Sequence, residues 1–229
     1  MRYRISVSKI DQLRSYMDEE YNTTQQDVID YLKGTKAFTP AMTLGTAFHS
    51  LVEMNHRDVE ICEDPKHGTI FKVKVPELQY PMTFTAGQAK PAVEFAAAHR
   101  GAIYETPVEK EVHISGVDVL ITGRVDMIEG RSGRDIKTGK YNLDVDQRYR
   151  SSQWRFYTWI LGLKDFHYDN FRLLLADSNA GPIMIGSEYE SVSFDTYDGI
   201  EADCLRYLAS LIDFARMHDL MSYLEEKKK

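Results

Sequence analysis

Residues 117–138 read VDVLITGRVDMIEGRSGRDIKT, and this stretch leaves few folds open to the chain. Residues 117–129 and 134–138 are rich in β-branched and apolar side chains, and the Gly-Arg-Ser-Gly between them is a turn signal. Just upstream, VEKEVHI (108–114) alternates, with Val108, Val112 and Ile114 on one face and Glu109, Glu111 and His113 on the other. Ser115-Gly116 is a two-residue turn between those strands. Loops this short admit only antiparallel neighbours. The rest of the chain has to pack around that sheet.

The flanks read as helices and further strands. Residues 8–17 start a helix, with Ser8 as N-cap, Asp11 three residues on, and Ile10, Leu13 and Met17 as its apolar stripe. A second helix is expected near 24–33, and Pro40 opens a third in which Leu44, Phe48, Leu51 and Val52 recur at helical spacing. Residues 69–85 read as short strands interrupted by Pro76 and Pro81, and 88–99 as a helix carrying Val93, Phe95, Ala96 and Ala97. SSQWRFYTWILGL (151–163) is a serine-capped helix ending near Gly162. FRLLLAD (171–177) and ESVSFD (190–195) read as strands, followed by a long helix over about 195–219 and a fraying EEKKK tail. The pattern is α/β: a central mixed sheet flanked by helices, with an N-terminal helical region. No repeat or low-complexity linker interrupts the 229 residues. One domain is therefore expected over 1–229: a helical region to 44, a core over 45–163, and C-terminal strands and helix beyond.

The chemistry sits around the second turn. Side chains alternate along a strand, so Asp135 and Lys137 share a face, and Asp126 lies on the adjoining strand. The two carboxylates can converge, with the lysine beside them. Close carboxylates repel unless a proton or cation intervenes, and oxygen ligands of this kind suit Mg²⁺ or Mn²⁺. A lysine there can orient water or stabilise charge on a phosphate, the equipment of metal-assisted phosphodiester hydrolysis. A plainer reading is a polar strand edge on which Lys137 merely neutralises two surface aspartates. A phosphate-binding loop at KTGK is excluded, because Arg134 stands where a glycine is required and Tyr141 where Ser or Thr is required.

Other blocks keep company with the turn. GTAFH sets His49 beside the apolar stripe of its helix, with Glu53 one turn on. QWRFY places Gln153 and Tyr157 four apart on one helix face. Taken singly these are a partly buried histidine and a helix rim. Lys140, Arg148, Arg150 and Arg155 follow the third strand and can hold phosphates or form an ordinary charged surface.

In their order, GTAFH, GRVD, DIKTG and QWRFY resemble the PD-(D/E)XK nucleases, in particular the RecB-like branch and the phage-type recombination exonucleases. SVSKIDQL is similar to the S-x-S-x-[IL] opening of many such enzymes. The resemblance spans scattered blocks from about residue 6 to 163 and reaches the last third only by its strand and helix pattern. It implies a restriction-endonuclease-like core in which His49, Asp126, Asp135 and the main-chain carbonyl of Ile136 ligate Mg²⁺ or Mn²⁺. Lys137 is then the catalytic lysine, while Gln153 and Tyr157 organise the site or touch substrate. The family's first-strand acid falls to Glu111, or else Glu109; a solvated strand face is the rival reading for both.

The implied activity is a metal-dependent DNase, an exonuclease of recombination, repair or phage DNA processing. Its substrate is linear duplex or single-stranded DNA, with a recombination partner protein and a homo-oligomer both possible. A non-catalytic nucleic-acid-binding or scaffold protein keeping the fold is the alternative, and an RNA nuclease a further one. Two widely spaced cysteines exclude the four-cysteine iron–sulfur cluster of some RecB-like relatives, and they suit a reducing cytoplasm, that of the host if the gene is phage-borne. No apolar run suggests a membrane span or a signal peptide. A net charge of −7 is unfavourable for binding phosphates unless a local basic patch or a bound cation offsets it.

Overall fold

The strands expected at 117–138 lie at the centre of the main sheet. In the computed structural model, residues 2–35, 40–54, 58–76, 78, 80–176 and 183–226 are described. In chain order the elements are β1 (Arg2–Ser6), α1 (Val7–Met17), a 3-10 turn (Glu20–Asn22), α2 (Gln25–Lys33), α3 (Pro40–Val52), β2 (Val59–Asp64), β3 (Gly68–Val73) and β4 (Met82–Thr85). Then follow α4 (Ala86–Ala98), β5 (Ile103–Ile114), β6 (Val117–Glu129), β7 (Ser132–Gly139), α5 (Val145–Arg150), α6 (Gln153–Leu161), β8 (Asp165–Ala176), β9 (Ile183–Asp195), α7 (Ile200–Met217) and a last 3-10 turn (Met221–Tyr223).

The main sheet has six strands in mixed orientation, and β2, β3 and β4 form a small antiparallel sheet of their own. The α/β architecture with a central mixed sheet is therefore as expected. Both tight turns form. Ser115 and Gly116 are left-handed, with φ of 52° and 73°, as a type I′ hairpin needs. The second turn is tighter than the sequence suggested: Glu129 pairs with Ser132, so only Gly130 and Arg131 lie outside the ladder.

Several elements differ from expectation for identifiable reasons. Residues 2–6 form a strand parallel to β6, and the N-cap of α1 is Ser6, which accepts from the Lys9 N–H, rather than Ser8. Met17 is 55 % exposed; the buried stripe of α1 is Val7, Ile10, Leu13 and Arg14. β5 begins at Ile103 rather than 108 because it pairs only with β6, and an edge strand tolerates Pro107. β8 and β9 extend well beyond 171–177 and 190–195; their added halves carry Asp, His, Glu and Ser that hid a strand pattern. Helix α5 was not foreseen; six residues capped by Asp144 carry little periodic signal. The tail does not fray at once: Glu226 donates its N–H to the Arg2 carbonyl and pairs with the Arg2 side chain. Residues 77, 79 and 177, within two expected strands, and 227–229 of the tail lie outside the described residues.

Two cores sandwich the sheet. On one face α1, α2, α6 and α7 bury Leu13, Val28, Trp154 and Leu208 against Ile121 and Phe166. On the other, α3, α4 and the small sheet bury Phe48, Leu51, Phe84 and Phe95 against Ile136 and Phe171.

The sheet forks at β6. One edge of β6 pairs with β5 from Val117 to Ile128, with a break where Glu105 faces Asp126. The opposite edge is shared: β1 takes Asp118–Thr122 in parallel, and β7 takes Met127–Glu129 antiparallel. Residues 123–126 have no ladder partner on that edge. Beyond Arg134, β7 leaves β6 and runs parallel to β8. Phase also changes here. Val125 belongs to one core and Met127 to the other, although pleating would put residues two apart on the same face.

β7 is held to β8 and β9 by a buried polar cluster. Asp169, fully buried, accepts from Arg134 Nη1 at 3.0 Å, Tyr189 Oη at 2.7 Å and Ser191 Oγ at 2.8 Å. Removing this carboxylate strands a largely buried guanidinium. We expect Asp169→Ala to lower unfolding free energy in urea by about 3–5 kcal/mol, and Asp169→Leu with Arg134→Met to recover part of it. A single variant within about 0.5 kcal/mol of the parent would remove the pair from the stabilising set.

Candidate active site

The fork creates buried backbone groups that need partners, and side chains from three elements supply them. The Ile136 N–H donates to Asp126 Oδ2 at 2.7 Å. The Ile136 carbonyl accepts from the His49 ring, which α3 brings in from one side of the sheet. The Arg124 N–H donates to the Tyr157 phenol oxygen, which α6 brings in from the other. The residues expected to form a site are thus substitutes for a missing stretch of β-ladder.

Two glycines make the approach possible. A Cβ on Gly45 would lie 2.9 Å from Thr138 Oγ1, so the glycine of GTAFH lets α3 sit directly on β7. A Cβ on Gly123 would lie 2.7 Å from Tyr157 Cε1, so the glycine of GRVD leaves room for the ring. These two motif glycines each make room for a side chain of another motif; the third, Gly139, has open space around it.

Around the fork lies an open cleft of about 970 Å³, lined by His49, Asp126, Asp135, Ile136, Lys137, Gln153 and Tyr157 among others. Lys137 Nζ lies 2.6 Å from Asp135 Oδ2 and donates to Gln153 Oε1 at 3.4 Å. Burial works against the Lys137 ammonium, but the charges of Asp135 and Asp126 outweigh it and hold its pKa above the ordinary value. Burial, then the Asp135 charge, pushes the Asp126 carboxyl well above the usual carboxylate range. Burial and the Lys137 charge lower the His49 pKa, leaving a neutral imidazole near pH 7. Burial and Asp135 keep Tyr157 a neutral phenol.

Among the described residues, no three His, Cys, Asp or Glu side chains are gathered as a ready-made metal-binding group. Protein donors engage the oxygens instead: Lys137 at Asp135, the Ile136 N–H at Asp126. The donor set nevertheless fits a hard divalent cation. Asp135 Oδ2 is buried without a well-directed hydrogen bond even though Lys137 is close. Burial, then the Asp135 charge, raises the Asp126 carboxyl pKa even with Lys137 and the Ile136 N–H acting against them. Two carboxylates, a neutral imidazole and a carbonyl are ligands that Mg²⁺ or Mn²⁺ accepts.

Not every anticipated residue is in the cleft. Glu111 is 72 % exposed on its side chain and pairs with Arg2 at 2.5 Å, far along β5 from the fork; Glu109 faces Arg4 at 3.5 Å. Neither reaches the carboxylates. The β5 acid that lines the cleft is Glu105, which falls opposite Asp126 between the Tyr104–Met127 and Thr106–Val125 pairs and is left-handed at φ 53°. It was overlooked because Pro107 masked the start of its strand. Arg155 is buried and donates to the carbonyls of Tyr149, Arg150 and Ser151, so it closes the α5–α6 corner and cannot grip a phosphate. Arg150 pairs with Glu20 at 3.0 Å. Lys140 lies over the Tyr141 ring, outside the cleft lining. Arg148 stacks 5.5 Å from the Tyr168 ring centroid, lowers the Lys137 pKa by its charge and has a buried Nε without a hydrogen-bond partner. It borders a second cleft of about 580 Å³ that shares Gln153 with the first. Glu53, Asp58 and Arg124 also line the main cleft; of these only Glu53 stood out in sequence.

A family model for the PD-(D/E)XK nuclease superfamily matches residues 12–203, and the chain belongs to that superfamily. Its members are nucleases that typically use divalent metals. No curated protein matches the chain. Among solved structures, a crystal structure of SSO0001 is 13 % identical, with the alignment covering 92 % of this chain and 76 % of that one at a TM-score of 0.49. Among the described residues no helix is long and apolar enough to cross a membrane.

Burial, then Glu105 and Asp58, push the Glu53 carboxyl up to about 7 from an ordinary 4.5. A group that binds its proton more tightly when folded stabilises the fold below its unfolded pKa and loses that contribution as pH rises through the folded value. Glu53→Gln should therefore be nearly neutral in urea unfolding at pH 5. At pH 8, in chelator, it should stabilise by roughly 1 kcal/mol after solvent screening. Equal effects at both pH values would remove Glu53 from the strained acidic set.

Proposed function

We propose that this protein is a metal-dependent DNA nuclease, an exonuclease of recombination, repair or phage DNA processing, with 1–229 as its single catalytic domain. The observation that carries this reading is the convergence of Asp126, Asp135 and Lys137 at the fork, beside a neutral His49 and the Ile136 carbonyl. His49, Asp126, Asp135 and the Ile136 carbonyl would hold Mg²⁺ or Mn²⁺. The chemistry such a cation supplies is Lewis-acid polarisation of a phosphoryl oxygen and a more acidic water.

The chain's own residues do the rest. A cation held by Asp126 would take the place of its proton, so binding would be coupled to proton release. Lys137, steered by Asp135 and Gln153, presents a permanent positive charge where the phosphate gains negative charge. Tyr157, protonated throughout, fixes the backbone at Arg124. Glu105 takes the place first assigned to Glu111 as the acid on the first strand, and Arg148 is the best remaining candidate of the four cations for holding substrate backbone. The scaffold reading is less favoured, because carboxylates and lysine are all present and mutually oriented.

Cation affinity should rise with pH through the neutral range, by up to about tenfold per unit while Asp126 remains protonated. Calorimetry in buffers of different ionisation enthalpy reads the released proton, and Asp135→Asn should abolish binding with the fold intact. Lys137→Ala should leave cation affinity within a few-fold while slowing single-turnover cleavage about 10²–10³-fold. End-labelled linear duplex should be degraded with Mg²⁺ or Mn²⁺ and spared in chelator. Cleavage of closed circles at the same rate would leave a nuclease but not an exonuclease, and Asp135→Asn fully active in Mg²⁺ would end the metal assignment.

A further inference from the structure

We infer that Arg124 is the substrate-phosphate contact at the mouth of the cleft, parked on Glu105 until nucleic acid displaces that carboxylate. The inference rests on the nuclease reading and adds a residue that none of the motifs assigns.

The cleft lining is strongly acidic. Among the described residues it contains Glu53, Asp58, Glu105, Asp126 and Asp135, against only two Lys or Arg, Lys137 and Arg124. A phosphodiester entering such a lining meets repulsion on every side where no cation stands. Lys137 sits at the floor, held by Asp135 and Gln153. Arg124 is the other cation, and its side chain is 66 % exposed, so it meets an incoming strand first.

The guanidinium is held where exchange is cheap. Its ion pair is with Glu105 Oε2, 2.6 Å from Nη1. Pairs this exposed contribute about 0–1 kcal/mol, so a phosphate that offers two acceptor oxygens can replace the carboxylate at little cost. The backbone beneath is fixed by contrast: the Arg124 N–H is tied to Tyr157, and the residue pairs across the strand with Pro107. A fixed root carries a movable head.

Glu105 looks built for the parking role. A non-glycine residue at φ 53° costs of order 1–3 kcal/mol, and the strain stands in a strand that is otherwise regular on either side. Its carboxylate lies beside both Arg124 and the acidic wall. With Arg124 withdrawn onto phosphate, Glu105 loses its ion-pair partner and Lys137 is the remaining Lys or Arg of the described lining, which favours capture of a divalent cation at that moment. Substrate and cation binding would then reinforce each other.

The test uses a fluorescein-labelled blunt duplex oligonucleotide and its single strand, followed by anisotropy in chelator from 25 to 200 mM salt, conditions chosen as about the range where phosphate contacts titrate. Arg124→Gln should weaken binding about 5–10-fold near 100 mM salt and reduce the slope of log K against log salt by about one contact. Arg124→Lys, which keeps the charge, should retain the slope. Glu105→Gln, which frees the guanidinium, should bind as tightly as the parent or more so. In Mg²⁺, Arg124→Gln should raise KM with kcat within about threefold. An unchanged slope in Arg124→Gln, or equal weakening in Glu105→Gln, would overturn the inference, since Arg124 would then serve only to hold Glu105. If the parent itself binds and cuts no nucleic acid, the nuclease reading fails along with it; if the parent does both and Arg124→Gln behaves as the parent, the inference alone fails.

Discussion

Everything in the site depends on the unpaired edge of β6 between Gly123 and Asp126. A sheet interior is costly to interrupt, because each buried N–H or C=O without a partner forfeits a hydrogen bond that water would have supplied. Here β1 and β7 occupy the same edge of β6 from opposite ends and leave a gap. The gap is closed by Asp126, His49 and Tyr157, which bond to main-chain groups across it. The same three side chains are thereby fixed in direction and brought from both faces of the sheet to one point. Structural need and chemical capacity are one arrangement.

That arrangement is electrostatically unfinished. Asp126 and Asp135 sit together with a single lysine between them, and Asp126 responds by keeping its proton. Such a pair is more stable protonated, or cation-bound, than as a naked dianion. The chain is acidic, with a net charge of −7, and so is the cleft, whose described lining has five Asp or Glu against Lys137 and Arg124; on the proposed reading an anionic substrate would be held there through those cations or a divalent ion. On that reading, affinity for phosphate would be conditional on those cations being in place, which would limit idle binding to nucleic acid.

Much of this was legible in the sequence, and the parts that were not share a cause. Local signals identified the three central strands and both tight turns, since alternation and Gly-containing turns are encoded within a dozen residues; the four motif blocks stood out by their resemblance, in order, to the PD-(D/E)XK pattern. Lys137, Asp126, Asp135, His49, Gln153 and Tyr157 all line one cleft. The misses needed long-range information. β1 earns its place only by pairing with a strand more than a hundred residues away. Glu111 and Glu105 lie on one strand, and choosing between them requires knowing where β7 leaves β6. Arg155 looked like one of a basic cluster, yet its guanidinium is spent on three carbonyls of the α5–α6 corner. Charge can be counted from sequence, whereas commitment of a charge cannot.

The glycines show how the motif blocks constrain one another. Gly45 belongs to the histidine block but is required by Thr138 of the lysine block; Gly123 belongs to the aspartate block but is required by Tyr157 of the glutamine–tyrosine block. A Cβ at either position would come within 3.0 Å of a side-chain atom, Thr138 Oγ1 or the Tyr157 ring, so the helix or that side chain would have to shift. Spacing within each block is set by its own element, the helix or strand. Composition at the glycines is set by the neighbouring element. The four blocks thus pack in two pairs around the fork, in which Gly45 and Gly123 leave room for the side chains of neighbouring blocks.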